Sequence, residues 1–108
     1  MKIAVPRFGE EVAPCFGYSA NIVVFVIKDS HIVDEKEFTL SSQWTVDRIR
    51  LLRDQKVDVL ICGGIRDRFE DMVRANGIQV ISWVSGNVED LVRKFISKTL
   101  VSGKQASS

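Results

Sequence analysis

Six apolar residues in succession, Ile22-Val23-Val24-Phe25-Val26-Ile27, constrain the fold of this chain more than any other feature. Successive side chains of a strand leave opposite faces, so an unbroken apolar run marks a central strand covered on both faces. A membrane-spanning helix needs about 20 apolar residues, and no run in the chain approaches that length. The N-terminus, MKIAVPRFGEE, has too short an apolar stretch for a signal peptide. The 108 residues fit one domain. Apolar residues at 45% and charged residues at 27% then place it among ordinary soluble globular proteins. A net charge of +1 gives no global field toward nucleic acid or an acidic membrane. Two cysteines do not make a secreted disulfide scaffold, so the chain reads as cytoplasmic with reduced thiols.

The remaining elements follow from local signals. Met1–Val5 reads as a short strand stopped by Pro6, which lacks a backbone donor. Arg7–Ala20, with two glycines and a proline, reads as a long loop of the functional kind. After Ile22–Ile27, Lys28-Asp29-Ser30-His31 forms a hairpin turn into a polar edge strand, Ile32–Leu40. Ser41 and Ser42 offer caps for a helix to about Gln55, with Trp44, Ile49 and Leu52 facing the core. Val57–Cys62 is a buried strand. Asp67-Arg68-Phe69-Glu70 has capping-box spacing and opens a helix with Phe69, Met72 and Val73 inward, ended by Gly77. Ile78–Val84 is the last strand, and Asn87 caps a third helix carrying Val88, Leu91, Val92, Phe95 and Ile96 at helical spacing. The domain is expected over residues 1–100, with a flexible tail at 101–108.

Four segments in this order resemble the dinitrogenase iron–molybdenum cofactor carrier and biosynthesis family: MKIAVP at the start, APCFGYS at Ala13–Ser19, VDVLICGGI at Val57–Ile65 and NGIQV at Asn76–Val80. The similarity spans about residues 1–98, and the order and spacing of the segments carry it. It implies a ribonuclease H-like three-layer α/β domain with three helices and a mixed five-stranded sheet of order 3-2-1-4-5. It also implies binding of iron–molybdenum cofactor or a related metal–sulfur cluster, although similar members occur outside nitrogen fixation. The chain departs from the family in having Cys15, rather than the histidine members often carry, before Phe16-Gly17. Thiolate is the softer ligand and favours iron–sulfur, copper(I) or zinc chemistry.

In the implied topology the first and fourth strands are parallel neighbours whose connections diverge, which is where open α/β sheets form a ligand crevice. The Cys15-Phe16-Gly17 loop and Cys62-Gly63-Gly64 meet there. The glycines would admit an anion to backbone amides, and Arg7, Arg66 and Arg68 would pair with a charged cluster. Cys15 is the candidate metal ligand, with Cys62 as a second. The bland readings stand beside these. A cysteine ending an apolar strand is usually inert core, Gly63-Gly64 is far from a P-loop, and exposed arginines are often only solvated. His31, at the other end of the sheet, is a turn residue. The two cysteines lack CxxC spacing, which rules out a structural zinc site.

These readings favour a non-catalytic carrier that holds a cluster, exchanges it with donor or acceptor proteins, and is a monomer or weak homodimer. A nuclease would need clustered carboxylates, with one on the first strand, and Lys2-Ile3-Ala4-Val5 offers none. A nucleophilic role for Cys15 would need a nearby histidine base. The alternative is an interaction or regulatory module with a vestigial site, using Ile32–Leu40 to pair with a partner strand.

Overall fold

In the computed structural model, which describes residues 1–100, Ser102 and Gly103, the apolar run lies within β3 (Asn21–Lys28) and serves two cores. Ile22 and Val24 pack with Ala4, Leu60 and Val80 on one face of the sheet. Val23, Phe25 and Ile27 pack with Ile3, Val5 and Ile61 on the other. Each of these side chains is nearly or fully buried, which stabilises the fold by about 1.5–3 kcal/mol per large residue. The first face is covered by α1 (Thr45–Asp54) through Ile49 and Leu52, and by α2 (Asp67–Ala75) through Val73 and Phe69. The second is covered by α3 (Val88–Ile96) through Val88, Leu91 and Val92. The molecule is thus a three-layer α/β domain with a mixed sheet and three helices.

The other strands are β1 (Lys2–Phe8), β2 (Glu11–Val12), β4 (His31–Thr39), β5 (Val59–Ile61) and β6 (Gln79–Ile81). The expected five strands of order 3-2-1-4-5 need correction, because the sheet has six, in the order β4-β3-β1-β5-β6 with β2 on β1. The additional strand is β2, whose Val12 and Glu11 stand opposite Arg7 and Phe8. It falls within the stretch expected to be loop, which also contains a 3-10 turn at Phe16–Tyr18. β1 runs antiparallel to β3 and parallel to β5, and β5 runs parallel to β6.

Pro6 does not stop β1, which continues to Phe8. The Pro6 carbonyl accepts from the Ala13 amide at 2.9 Å, so Pro6 turns its hydrogen-bonding side away from β3. The missing N–H therefore costs the β1–β3 ladder nothing.

Two expected helix starts also differ. Ser42 does not occupy the cap of α1; its hydroxyl accepts from the Trp44 amide at 3.0 Å and donates to the Asp47 carboxylate. Trp44 becomes the cap residue, before the helix face begins, and is 75% exposed rather than core-facing. Glu70 does not close a capping box; α2 is capped by Arg66 without a side-chain bond, and Glu70 turns instead to Arg74 and Ser82. Met72 lies at the margin of the α2 face and is partly exposed.

Other signals hold. Asp29 and Ser30 take left-handed φ values of 51° and 64° in the hairpin turn, the conformation a tight two-residue connection requires. Gly77 ends α2 at φ 76°, and the Asn87 side chain accepts from the Asp90 amide at 3.1 Å. The expected flexible tail falls largely on residues 101 and 104–108, which lie outside the described residues. Ser102 and Gly103 fold back, with the Ser102 hydroxyl and Gly103 amide both donating to the Ser82 carbonyl, at 2.8 and 2.9 Å. Among the described residues no helix is long and apolar enough to cross a membrane.

Candidate ligand site at the ends of β1 and β5

Beyond Ile61 the chain bends at Gly63, and Gly64 forms a parallel bridge with Cys15. The Phe16 amide donates to the Gly64 carbonyl, and the Gly64 amide donates to the Pro14 carbonyl, each at 2.8 Å. The first loop and the glycine turn are therefore joined through backbone, as the expected crevice requires.

The glycines serve this approach. A Cβ on Gly63 would lie 2.5 Å from the Ala13 carbonyl oxygen and 2.7 Å from that of Pro14. A Cβ on Gly64 would lie 3.2 Å from the Trp83 ring. The expectation that both amides present themselves to an anion is corrected: both glycines are buried, and the Gly64 amide is already bonded to Pro14. Gly17 is also tightly placed, since a Cβ there would come 3.0 Å from the Thr45 hydroxyl.

Cys15 is half-buried between two surface cavities. One, of about 220 Å³, is lined by Cys15, Phe16, Gly17, Tyr18, Gln43, Thr45, Ile65, Arg66 and Phe69. The other, of about 360 Å³, brings Arg7, Phe8 and Pro14 to the opposite side of Cys15 and Tyr18. Arg66 is exposed at the first cavity. Arg7 lines the second and a further cavity beside Glu10 and Asn87, not the first, and its guanidinium is paired with Glu37 of β4. Arg68 lines neither of the two and stacks over Phe69 at 5.2 Å.

The two thiols differ sharply. Cys62 is fully buried in the core with Leu60 and Val73 and lines neither cavity. Burial first, then the Glu70 carboxylate and Cys15, push its thiol up to about 12. At neutral pH it is a protonated core residue. His31 stands at the tip of the β3–β4 hairpin, with Nδ1 2.7 Å from the Asp29 carbonyl.

Residues that sequence reasoning passed over hold the loop. Arg48 of α1 is buried, and its Nε donates to the Ser19 carbonyl at 2.7 Å while Nη1 donates to the Trp44 carbonyl at 3.0 Å. Burial lowers its pKa against an opposing pull from Asp47. The Ser19 hydroxyl donates to the Phe16 carbonyl at 2.8 Å. A clue existed in the spacing, because Arg48 shares a helical face with Leu52. Gln43, Thr45 and Phe8 had no sequence signal, and Tyr18 had only its place in the APCFGYS segment. Among the described residues no group of three or more His, Cys, Asp or Glu is placed to hold a metal ion. The site thus offers one accessible thiol, an exposed cation and walls that are largely aromatic and apolar, from Phe16, Tyr18, Ile65 and Phe69.

The three-layer domain has known counterparts. The family model for the dinitrogenase iron-molybdenum cofactor matches residues 1–98, and the chain belongs to this family. Among solved structures, that of PH0822 superposes with a TM-score of 0.89 at 21% identity, covering 100% of this chain and 99% of the other. A provisional dinitrogenase from Methanocaldococcus jannaschii gives 0.78 at 17% identity, covering 93% and 91% of the two chains. The apo form of the orange protein from Desulfovibrio gigas gives 0.75 at 24% identity, covering 91% and 88%. At these identities the likeness establishes the fold. No curated protein matches the chain.

Proposed function

We propose that this protein is a non-catalytic cytoplasmic carrier of iron–molybdenum cofactor or a related metal–sulfur cluster, which it takes from one protein and passes to another. The observation that carries the reading is the placement of Cys15: a half-exposed thiol, fixed by the Gly64 bridge between two cavities, with Arg66 alongside. Family membership supplies the class of cargo. Cys15 is the metal ligand in this reading, and Cys62 stays in the core. Phe16 and Gly17 shape the wall of the first cavity, and the buried Gly63 and Gly64 hold the loop that carries Cys15. Arg66 faces the cargo's negative charge, while Arg7 would have to leave Glu37 to join it. A single anchoring thiolate suits a carrier, since a site closed by several ligands would hold a cluster too firmly to release it. The cavities are shallow and small, so a large cluster would project toward solvent and a receiving protein.

We also read the domain as ribonuclease H-like. The nuclease chemistry of such folds needs acids on the first strand, where this chain has Lys2-Ile3-Ala4-Val5. A second reading rests on β4, whose Val33–Glu37 stretch is exposed at the sheet edge and offers a partner strand a ladder.

The test is an anaerobic titration of wild type and Cys15→Ser with iron–molybdenum cofactor and with thiomolybdate clusters, followed by visible absorption and metal analysis. Micromolar binding that the substitution weakens at least tenfold supports the carrier with Cys15 as ligand. Equal binding by both proteins moves the ligand elsewhere. Absence of binding by either removes the carrier reading in favour of the interaction module.

A further inference from the structure

Trp83 is a bulky residue in the left-handed region, at φ 61°. Side chains other than glycine rarely adopt this conformation, and where a large residue does so the surroundings must impose it. The surroundings here are specific. The Trp83 amide donates to the Gly63 carbonyl at 2.9 Å. The preceding carbonyl, of Ser82, accepts from both the Gly103 amide and the Ser102 hydroxyl. Gly103 lies so close that a Cβ there would be 2.0 Å from the Trp83 carbonyl oxygen and 3.2 Å from its Cβ. On its other side the Trp83 ring rests on Gly64, the residue bridged to Cys15.

We infer that Trp83 is a positioning residue for the Cys15 loop, clamped against Gly64 by the C-terminal segment at Ser102-Gly103. The clamp works through contact. Gly103 and Ser102 fix the Ser82–Trp83 peptide, the fixed backbone directs the ring onto Gly64, and Gly64 holds Pro14 and Phe16 on either side of Cys15. Backbone strain at Trp83 is the cost of aiming the ring there; a glycine at position 83 would remove the strain and the aim together. The C-terminal segment, far from Cys15 in sequence, thereby sets the exposure and orientation of its thiol. The significance for cargo rests on the carrier reading, but the clamp itself is measured without any cluster.

The test follows the reaction of the native full-length protein with a water-soluble aromatic disulfide. The Cys15 thiolate attacks it, forms a mixed disulfide and releases a coloured aromatic thiolate. Loss of the fast phase in Cys15→Ser identifies the reacting thiol. Gly103→Ala and Ser102→Ala, each combined with Trp44→Phe so that Trp83 is the sole tryptophan, should shift Trp83 emission. In Gly103→Ala the Cys15 rate should change by roughly fivefold or more, the factor that about 1 kcal/mol commands. Trp83→Gly should alter the Cys15 rate by a comparable factor, and Trp83→Phe, which keeps a ring on Gly64, should restore most of the wild-type rate. The inference is overturned if Trp83→Gly reacts at the wild-type rate. A folded Gly103→Ala whose emission shifts while Cys15 reacts unchanged overturns it equally. If Gly103→Ala does not fold, Ser102→Ala and the Trp83 pair decide. Failure of cluster binding would leave all these outcomes readable.

Discussion

The Ser82 hydroxyl donates to the Glu70 carboxylate across 2.9 Å, tying α2 to the end of β6. The other oxygen of Glu70 receives the Arg74 guanidinium at 3.2 Å, and the same guanidinium reaches the Val80 carbonyl. Ser82 is almost fully buried, whereas the Glu70 side chain keeps 13% exposure, so the bond reaches from the core to the edge of the packing. Ser82→Ala should destabilise the protein by about 0.5–1.5 kcal/mol, the net worth of a hydrogen bond, as read from the urea midpoint.

Gly63→Ala should be at least as damaging, because a methyl group there meets two backbone carbonyls that belong to the loop itself. Overpacking of this kind costs about 1–3 kcal/mol. Denaturant unfolding measures the loss, and an accelerated Cys15 reaction should accompany it as the Ala13–Pro14 segment is pushed away.

Ser30→Gly should act in the opposite direction. Ser30 holds a left-handed φ of 64° in the hairpin turn, a conformation glycine adopts without strain. A gain of about 0.5–1 kcal/mol and a higher Tm are expected by calorimetry, with no change at Cys15. A lower Tm would show that the serine side chain matters to the turn.

Alkaline pH should weaken the fold through Cys62. An unfolded-state thiol ionises near about 8.5, whereas burial chiefly, with Glu70 and Cys15 adding to it, holds the folded one up to about 12. The folded protein keeps this proton while the unfolded chain releases it. Stability from Cys62 is therefore fully present below about pH 8.5 and falls as pH rises toward 12. Cys62→Ala should lose stability at neutral pH by leaving a small cavity, yet show a flatter decline between pH 9 and 11 than wild type. Parallel slopes in that window would refute the assignment.

Cys15→Ser should leave the unfolding free energy within about 0.5 kcal/mol of wild type, because the thiol is half-exposed and the loop is held by backbone bonds. Matching denaturation curves are what allow any loss of cargo binding in this variant to be ascribed to the ligand.

The sequence was most legible where one local force dominates. Ile22–Ile27 declared a doubly covered strand because every position is apolar, and Asn87 and Gly77 act as capping residues because their chemistry suits few other roles. The meeting of Cys15 with Gly64 was anticipated from the family's topology, not from local pattern. Legibility failed where a distant partner wins. Glu70 has the spacing to cap its own helix but lies beside Ser82 and Arg74, which offer it two bonds. Pro6 ends strands when its donor side faces a neighbour, and which side it faces depends on Ala13. Trp44 was placed on a helical face but sits one residue before the helix begins, since Ser42 bonds to Asp47 and delays its start. Trp83 gave no local sign, because its left-handed backbone is imposed by Ser102 and Gly103 from the far end of the chain.

The Cys15–Gly64 bridge also means that this thiol has no fixed surroundings until β5 has docked beside β1. A nascent chain that has emerged only through the first hairpin would carry Cys15 on an unanchored loop. Loading with cargo would then be a property of the finished molecule, so every bound cluster would add its binding free energy to the whole fold. A carrier built this way would become harder to unfold when full and easier when empty, and heat or proteolysis would distinguish the two populations.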